Sequence, residues 1–316
     1  MILLVTNRRD ITTDFIVAEL TRRGQRFFRL NTDQAHLAGL SFQVDESGTS
    51  WSLEIDNCQV DASIFSSGYF RRPALPDVLD EVERAFAQQV SGEWASLLNS
   101  FYAALKCRWL SRPTSIALAE DKPRQLMVAQ QMGFRLPETL VGSTYAQVAE
   151  FVSSYATVVK PIKSGRIATA EVEQIAFTSR VGSIHPSDES AIEVSPAIYQ
   201  REIDKICDVR VTVVGERVFA CEIVQHTARS VDWRTRGIAD LQYRAIQLEE
   251  PIASMCINLV RHLDLGFGAI DLVRDASGQL WFLEINPNGQ WAWIERQAGL
   301  PISAAIVDVL TRRASS

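Results

Sequence analysis

The hydrophobic pattern changes period several times along the chain. ILLVT (2–6) is a continuous apolar run that predicts a buried strand. Asp14 to Arg23 follows at helical spacing and is stopped by Gly24, and FFRLN (27–31) predicts a second strand. Strand, helix and strand in that order form a βαβ unit. SFQVD (41–45) and WSLEID (51–56) alternate with period two, and SIFSSGYFRRP (63–73) runs from strand into loop. From about Asp77 to Leu110, residues Val82, Phe86, Val90, Trp94, Leu97, Leu98, Phe101 and Leu105 recur at helical spacing, which predicts one long amphipathic stretch with its stripe in the core. Pro and Ser in SRPTS (111–115) punctuate the chain there and end a first domain, residues 1–114.

A second unit, residues 115–195, opens at AEDKPRQLMVAQQMGF. Asp121 is placed to cap a helix with Pro123 in its first turn, and Gly133 closes it. LPETL returns as a strand, Thr144 to Gln147 resembles a capping box, and TVVKPIKSG (157–165) is a strand ending at Lys160. The last unit, residues 196–316, is β-rich, with a helix near Ile252–Leu263 and paired strands GAIDLV and LWFLEIN. The expected class is α/β (α+β), without internal repeats or low-complexity tracts.

Composition narrows the function. The chain has 316 residues, 47% of them hydrophobic, enough for a large core in two or three domains. Lys plus Arg is 32 against 38 Asp plus Glu, so the net charge of −6 argues against nucleic-acid or anionic-membrane partners while allowing a local basic groove. MILLVTNRR is too short an apolar run for a signal peptide, so a cytoplasmic location is expected. Five cysteines form no CxxC pair and four histidines no HExxH, which disfavours a disulfide scaffold and a zinc site.

No GxxxxGK[ST] occurs, and LGFGAID (265–271) has Asp271 where the third glycine of a dinucleotide fingerprint would stand. The chemistry gathers instead around FLEINPNGQW (282–291). Period-two alternation puts Glu284 and Asn286 on one strand face. Asp271 lies 13 positions before Glu284 on a strand joined to it by the turn DASGQ, so an antiparallel pair brings the two carboxylates together. Two carboxylates and an amide oxygen are a hard, oxygen-only ligand set suited to Mg²⁺ on nucleotide phosphates. A polar strand end with a satisfied turn is the other reading of the same residues.

Lys160 in VVKP, the YQREI segment, DVRVTVVG, AID and FLEIN, in that order, resemble the ATP-grasp superfamily over about residues 115 to 310. SGYFRRP, VDWR and FLEINPNGQWAWIE extend the resemblance over the whole chain to the ligases that make graspetides, the microviridin-type ω-ester and ω-amide peptides. The resemblance implies an ATP-grasp fold behind an N-terminal pre-ATP-grasp domain, with ATP and Mg²⁺ as cofactors. It implies Lys122 and Lys160 on the nucleotide, Gln200, Arg201, Glu202 and Ile203 as the hinge whose backbone reads adenine, Asp208 on the ribose, and Asp271, Glu284 and Asn286 on the metal. Arg210 and Arg229 are the candidates for stabilising developing charge and His226 for a general base; each also has a structural reading, as a cross-strand ion pair, a surface arginine or a strand-end histidine.

Two features depart from that family pattern. Gly165 is the lone glycine in the loop after the strand lysine, and Ala269 stands where an arginine is common. The loop KSGRIATAEVEQ (163–174) is a candidate lid. Trp291 and Trp293 either wall an acceptor pocket or fill the core. Arg71, Arg72, Arg229, Arg234 and Arg236 either collect an acidic peptide or are solvated. The expected activity is ATP-dependent joining of Asp or Glu side-chain carboxylates of a precursor peptide, with leader and acidic core, to Ser or Thr hydroxyls or Lys amines. Addition of a free amino acid to a carboxylate and a non-catalytic ATP-binding regulator are the alternatives, and a homodimer is compatible with all three.

Overall fold

A computed structural model describes residues 1–312 except 47, 77–81, 84, 164–165, 169–172, 176–177 and 226–239; for 166–168 and 173–175 it describes the backbone. The chain begins β1 (Ile2–Thr6), α1 (Ile11–Arg22) and β2 (Phe27–Asn31). An antiparallel sheet of β3 (Ser41–Asp45), β4 (Gly48–Ile55) and β5 (Cys58–Asp61) follows, then β6 (Ser67–Phe70), α2 (Ala87–Ala104) and β7 (Arg108–Trp109). Strands β2-β1-β6-β7 form a parallel sheet. All five residues of β1 are buried, as a strand covered on both faces requires. Ile2 and Leu4 pack with α1, while Leu3 and Val5 pack with Leu98 and Phe101 of α2.

The long amphipathic stretch is shorter than its pattern. Its helix starts at Ala87 with Phe86, 53% exposed, at the N-cap, and Leu105 caps the other end. Gly92 and Ser91 weaken its first turns, so the stripe is realised where Leu98 and Phe101 find the sheet. The short strand β5 carried too few residues for its alternation to be read.

The middle of the chain contains α3 (Pro113–Ala119), α4 (Lys122–Gln131), β8 (Thr139–Gly142), α5 (Tyr145–Ser154), β9 (Thr157–Lys160), the pair β10 (Arg166–Ala168) and β11 (Glu173–Ile175), β12 (Ser179–Val181), α6 (Glu189–Val194) and β13 (Ala197–Arg201). Asp121 caps α4 by accepting from Arg124 N–H at 3.0 Å, with Pro123 in the first turn. Thr144 sits at the N-cap of α5 without a side-chain cap bond, so the capping box expected there does not form. Strands β12-β9-β13-β8 form an antiparallel sheet over a small core of Val148, Ile192 and Tyr199.

The last third is β14 (Lys205–Val214), β15 (Arg217–Gln225), β16 (Leu241–Ile246), α7 (Glu250–His262), β17 (Phe267–Asp275), β18 (Leu280–Asn286), α8 (Ala292–Ala298) and α9 (Ile302–Thr311), with sheet order β16-β15-β14-β17-β18. Val209, Val211 and Val213 on β14 face α7 and α4. Period two therefore turns Asp208, Arg210 and Thr212 to the opposite face. Gly266 is a packing residue: a Cβ there would stand 2.0 Å from the Leu110 carbonyl oxygen.

Candidate active site

One cavity of about 1560 Å³ is lined by residues of the β2-β1-β6-β7, β12-β9-β13-β8 and β16-β15-β14-β17-β18 sheets. Asn7, Arg9 and Arg72 from the first third, Lys160, Gln200 and Ile203 from the middle, and Asp208, Asp271, Glu284, Asn286 and Arg296 from the last third all line it. β17 and β18 pair so that Asp271 stands directly across from Glu284, with an irregularity just after Asp271. Asn286 follows on the Glu284 face. The antiparallel pairing expected from the sequence is thus present, and it presents two carboxylates and an amide oxygen to one cavity.

Each of these groups is held. On the other side of β17, Arg210 lies opposite Asp271, and its Nη1 donates to both carboxylate oxygens at 2.6 and 2.7 Å. Lys122 Nζ sits 3.4 Å from Glu284 and donates to the Pro161 carbonyl at 3.0 Å, tying α4 to the end of β9. Asn286 Oδ1 accepts from Asn288 N–H at 3.0 Å, closing the turn. Among the described residues no cluster of three or more His, Cys, Asp or Glu gathers to hold a metal. The candidate set is therefore two carboxylates and an amide, and these oxygen donors fit Mg²⁺ by their chemistry. Arg210 Nε is a buried donor with no hydrogen-bond partner among the described residues.

In the segment expected to form the hinge, Arg201 N–H donates to the Glu138 carbonyl and Glu202 N–H to the Ala156 carbonyl. Those bonds leave the Glu202 carbonyl and Ile203 N–H as an acceptor and a donor at the cavity wall. The Gln200 side chain is buried and spans to Thr139 Oγ1 at 2.9 Å, so only its backbone is suited to reading a base. Asp208 Oδ1 accepts from Lys205 Nζ at 2.6 Å. Lys160, at the end of β9, lines the cavity half-buried.

The arginines divide differently from the sequence expectation. Arg71 is neither solvated nor free for a peptide: it is 1% exposed, ion-paired to Asp10 at 3.0 Å, and donates to the Asn288 and Gly289 carbonyls at 2.9 Å each. Arg72 beyond it takes φ 44°, a left-handed conformation rare for a side-chain-bearing residue, and its carbonyl accepts from Asn7 Nδ2 at 2.6 Å. This turn sends Arg71 inward and Arg72 to the cavity. Trp291 is core, fully buried against Phe15 with its indole donating to Tyr69 Oη at 3.4 Å, whereas Trp293 lines the cavity and packs on Tyr243. His226, Arg229, Arg234 and Arg236 lie outside the described residues, as do residues 164–165 and 169–172 of the candidate lid.

Glu120, just before the Asp121 cap, was not singled out by the sequence. It is exposed to the cavity, and desolvation pushes its carboxyl above the usual range against the opposing pull of Lys163 and Arg72. Arg9 was also missed. Its signal was its place just after the first parallel strand, because ligand crevices lie outside the carboxyl ends of such strands.

Residues 1–117 match the MvdD pre-ATP grasp domain, and residues 119–310 match the RimK-like ATP-grasp domain. The chain belongs to the RimK-like ATP-grasp family. It is an ATP-grasp ligase, and the cofactors of such ligases are ATP and Mg²⁺. A Chryseobacterium gregarium RiPP-associated ATP-grasp ligase, solved with ADP and a leader and core peptide, is 25% identical with a TM-score of 0.89, covering 98% of this chain and 96% of that one. The macrocyclase MdnB from Microcystis aeruginosa is 27% identical with a TM-score of 0.83, covering 99% of each chain. A curated relative, a probable alpha-L-glutamate ligase of Haemophilus influenzae, is 24% identical over 71% of this chain and 69% of its own. The whole-chain resemblance expected from SGYFRRP and FLEINPNGQWAWIE is borne out by these neighbours. Among the described residues no helix is long and apolar enough to cross a membrane.

Proposed function

We propose that this ATP-grasp ligase activates side-chain carboxylates of a ribosomal precursor peptide and joins them to hydroxyls or amines of the same peptide. The observation that carries the reading is the continuous 1560 Å³ cavity. It exceeds the ~300–1,000 Å³ of ordinary small-molecule pockets and continues past the carboxylate floor to the N-terminal sheet. Such space accommodates a peptide segment beyond a nucleotide. The peptides bound in the Chryseobacterium neighbour support the same reading.

In this proposal the Glu202 carbonyl and Ile203 N–H read the adenine edge, Asp208 accepts from the ribose, and Lys122 and Lys160 face the phosphates. Asp271, Glu284 and Asn286 hold Mg²⁺, which supplies neutralisation of phosphate charge when bound. The peptide carboxylate attacks the γ-phosphorus and ADP leaves. A hydroxyl or amine then attacks the acyl carbon of the resulting acyl phosphate, loses its proton and expels phosphate. Arg210 holds Asp271 in place from beneath; Arg229 and His226 are retained as oxyanion and base candidates. The units 1–114, 115–195 and 196–316 are the proposed domains, with the nucleotide between the last two.

A second reading, addition of a free amino acid, is favoured by the glutamate-ligase name of the curated relative. Mass spectrometry of a precursor peptide incubated with ATP and Mg²⁺ separates the two. Internal joining removes one water per bond, whereas addition raises the mass by a residue. A product that gains a residue's mass overturns the proposal, and failure to convert ATP to ADP with any carboxylate substrate returns the regulator reading.

A further inference from the structure

Among the described residues, all but one of the carboxylates that line the cavity are held by a cation. Asp10 is paired with Arg71 at 3.0 Å, Glu202 with Arg180, Asp208 with Lys205 and Asp271 with Arg210 at 2.6 Å each, and Glu284 with Lys122 at 3.4 Å. Glu120 is the exception. Its side chain is exposed to the cavity, and its carboxylate makes no ion pair and accepts no hydrogen bond among the described residues. A carboxylate paired with a cation gives up basicity, because the cation favours the charged form. Glu120 keeps it. Lys163 after β9 and Arg72 after β6 act on it through space and pull its pKa down, but desolvation at the cavity wall outweighs them and leaves the carboxyl above its usual value. On its own segment, Asp121 is occupied by the Arg124 N–H, the Arg124 guanidinium by the Leu118 carbonyl, and Lys122 by the Pro161 carbonyl.

The backbone under Glu120 is tied to the strand that carries Glu284 and Asn286. Glu120 caps α3, its N–H donating to the Ile116 carbonyl at 3.1 Å. The carbonyl of Ala119, the residue before it, accepts from Gln125 Nε2 at 2.7 Å, and Gln125 Oε1 accepts from Ile285 N–H at 3.1 Å. Gln125 is 3% exposed, so a single buried carboxamide spans from the end of α3 to the peptide unit between Glu284 and Asn286. Glu120 is thereby anchored close to the candidate metal carboxylates while making none of their pairings.

We propose that Glu120 is the general base of the joining step, taking the proton from the hydroxyl or neutral amine that attacks the acyl phosphate. The assignment rests on the peptide-ligase reading above and adds a catalytic residue to it, in the role for which His226 is the other candidate. As the bond from oxygen or nitrogen to the acyl carbon forms, the bond from that carbon to the phosphate oxygen breaks and phosphate leaves with the electron pair. The proton passes to the Glu120 carboxylate and from there to solvent. The earlier step, attack of the peptide carboxylate on the γ-phosphorus, moves no proton and does not call on Glu120.

Hydroxylamine separates the two steps, because it is uncharged at neutral pH and traps an acyl phosphate as a hydroxamate without needing a base. The full-length protein is given ATP, Mg²⁺ and synthetic peptides that carry Asp or Glu together with Ser or Thr, and joined peptide and peptide hydroxamate are measured by mass spectrometry. Glu120→Gln is expected to slow joining by about a hundredfold or more while hydroxamate formation, ADP affinity and denaturation midpoint stay at wild-type values. Glu120→Asp recovers part of the joining rate. Because the base acts deprotonated, wild-type joining rises with pH through a pKa above the usual carboxyl range, and that limb is absent in Glu120→Gln. Equal losses of joining and hydroxamate would place Glu120 in the first step and overturn the assignment, as would wild-type joining by Glu120→Gln. A pH limb lost in His226→Gln and kept in Glu120→Gln would give the role to His226. If wild type forms neither product from any of these peptides, the peptide-ligase reading falls and the base assignment with it.

Discussion

Arg210 stands directly across β14 and β17 from Asp271, and one of its terminal nitrogens reaches both carboxylate oxygens at 2.6 and 2.7 Å. The pair makes the two floor carboxylates unequal. Arg210 is 7% exposed and Asp271's side chain 19%, whereas Lys122 and Glu284 are 22% and 21% exposed and 3.4 Å apart. Asp271→Asn strands a buried guanidinium and is expected to destabilise the fold by up to about 3–5 kcal/mol as well as stop turnover. Glu284→Gln stops turnover with a much smaller change in denaturation midpoint. Equal denaturant midpoints for the two variants would contradict this asymmetry.

The loop after β18 is held from both sides. Arg71 donates to Asn288 and Gly289, Arg210 Nη2 donates to the Gln290 carbonyl at 3.2 Å, and a Cβ on Gly289 would stand 2.3 Å from the Ala269 side chain. Arg71→Ala leaves Asp10 buried without its cation and two carbonyls without donors, so a loss of about 3–5 kcal/mol is expected. Arg71→Lys keeps the charge and loses the fork. It is expected to raise amide exchange across Asn288 to Gln290 and to lower kcat more than it raises the KM for ATP; unchanged exchange there would show that the clamp does not hold the loop.

Gly289→Ala tests the same close approach without altering charge. Ala269 and Arg210 leave no space for the added methyl, so turnover should fall and the protein should unfold at lower denaturant, by about 1–3 kcal/mol as expected for overpacking. Wild-type stability in this variant would contradict the packing argument.

Lys160→Ala removes a cation from the end of β9 at the cavity wall. Loss of a charge-assisted contact of about 1.5–3 kcal/mol corresponds to about 10- to 150-fold weaker ADP binding by calorimetry. An unchanged affinity would place the phosphates elsewhere.

Acid stability has a defined source in the α1–α9 contact. Hydrogen bonding to Arg22, opposed by burial and reinforced by Arg23, holds the Glu19 carboxyl down at about 2 from 4.5, and Arg23 continues to Asp308 on α9 at 2.6 Å. A depressed folded-state pKa contributes stability that is full above the unfolded value near 4.5 and is lost as pH falls toward 2. Glu19→Gln should therefore lower stability at pH 7 and have little effect near pH 2. Parallel stability curves for the variant and wild type through that window would show that the carboxylate adds nothing.

Much of the catalytic half was legible in the linear sequence because its determinants are local. Two-residue periodicity fixed which faces Asp208, Arg210, Glu284 and Asn286 occupy, the Asp275–Gly278 turn set the register that brings Asp271 to Glu284, and Asp121 with Pro123 marked the start of α4. Side-chain period and turn chemistry are short-range properties of the chain, readable without knowing what packs above. What tertiary structure alone decided is which charges meet and which remain open to the cavity. Arg71 and Arg72 are neighbours of one residue type, yet a left-handed turn buries the first against Asp10 and exposes the second. Trp291 and Trp293 separate in the same way, one into the core of α1 and one to the cavity. Arg9, Arg112 and Arg296 come from separate elements up to 287 positions apart, and no local pattern encodes that they line one cavity. Burial and charge pairing depend on the packing of distant elements, and that packing, not residue type, sets the role of each arginine.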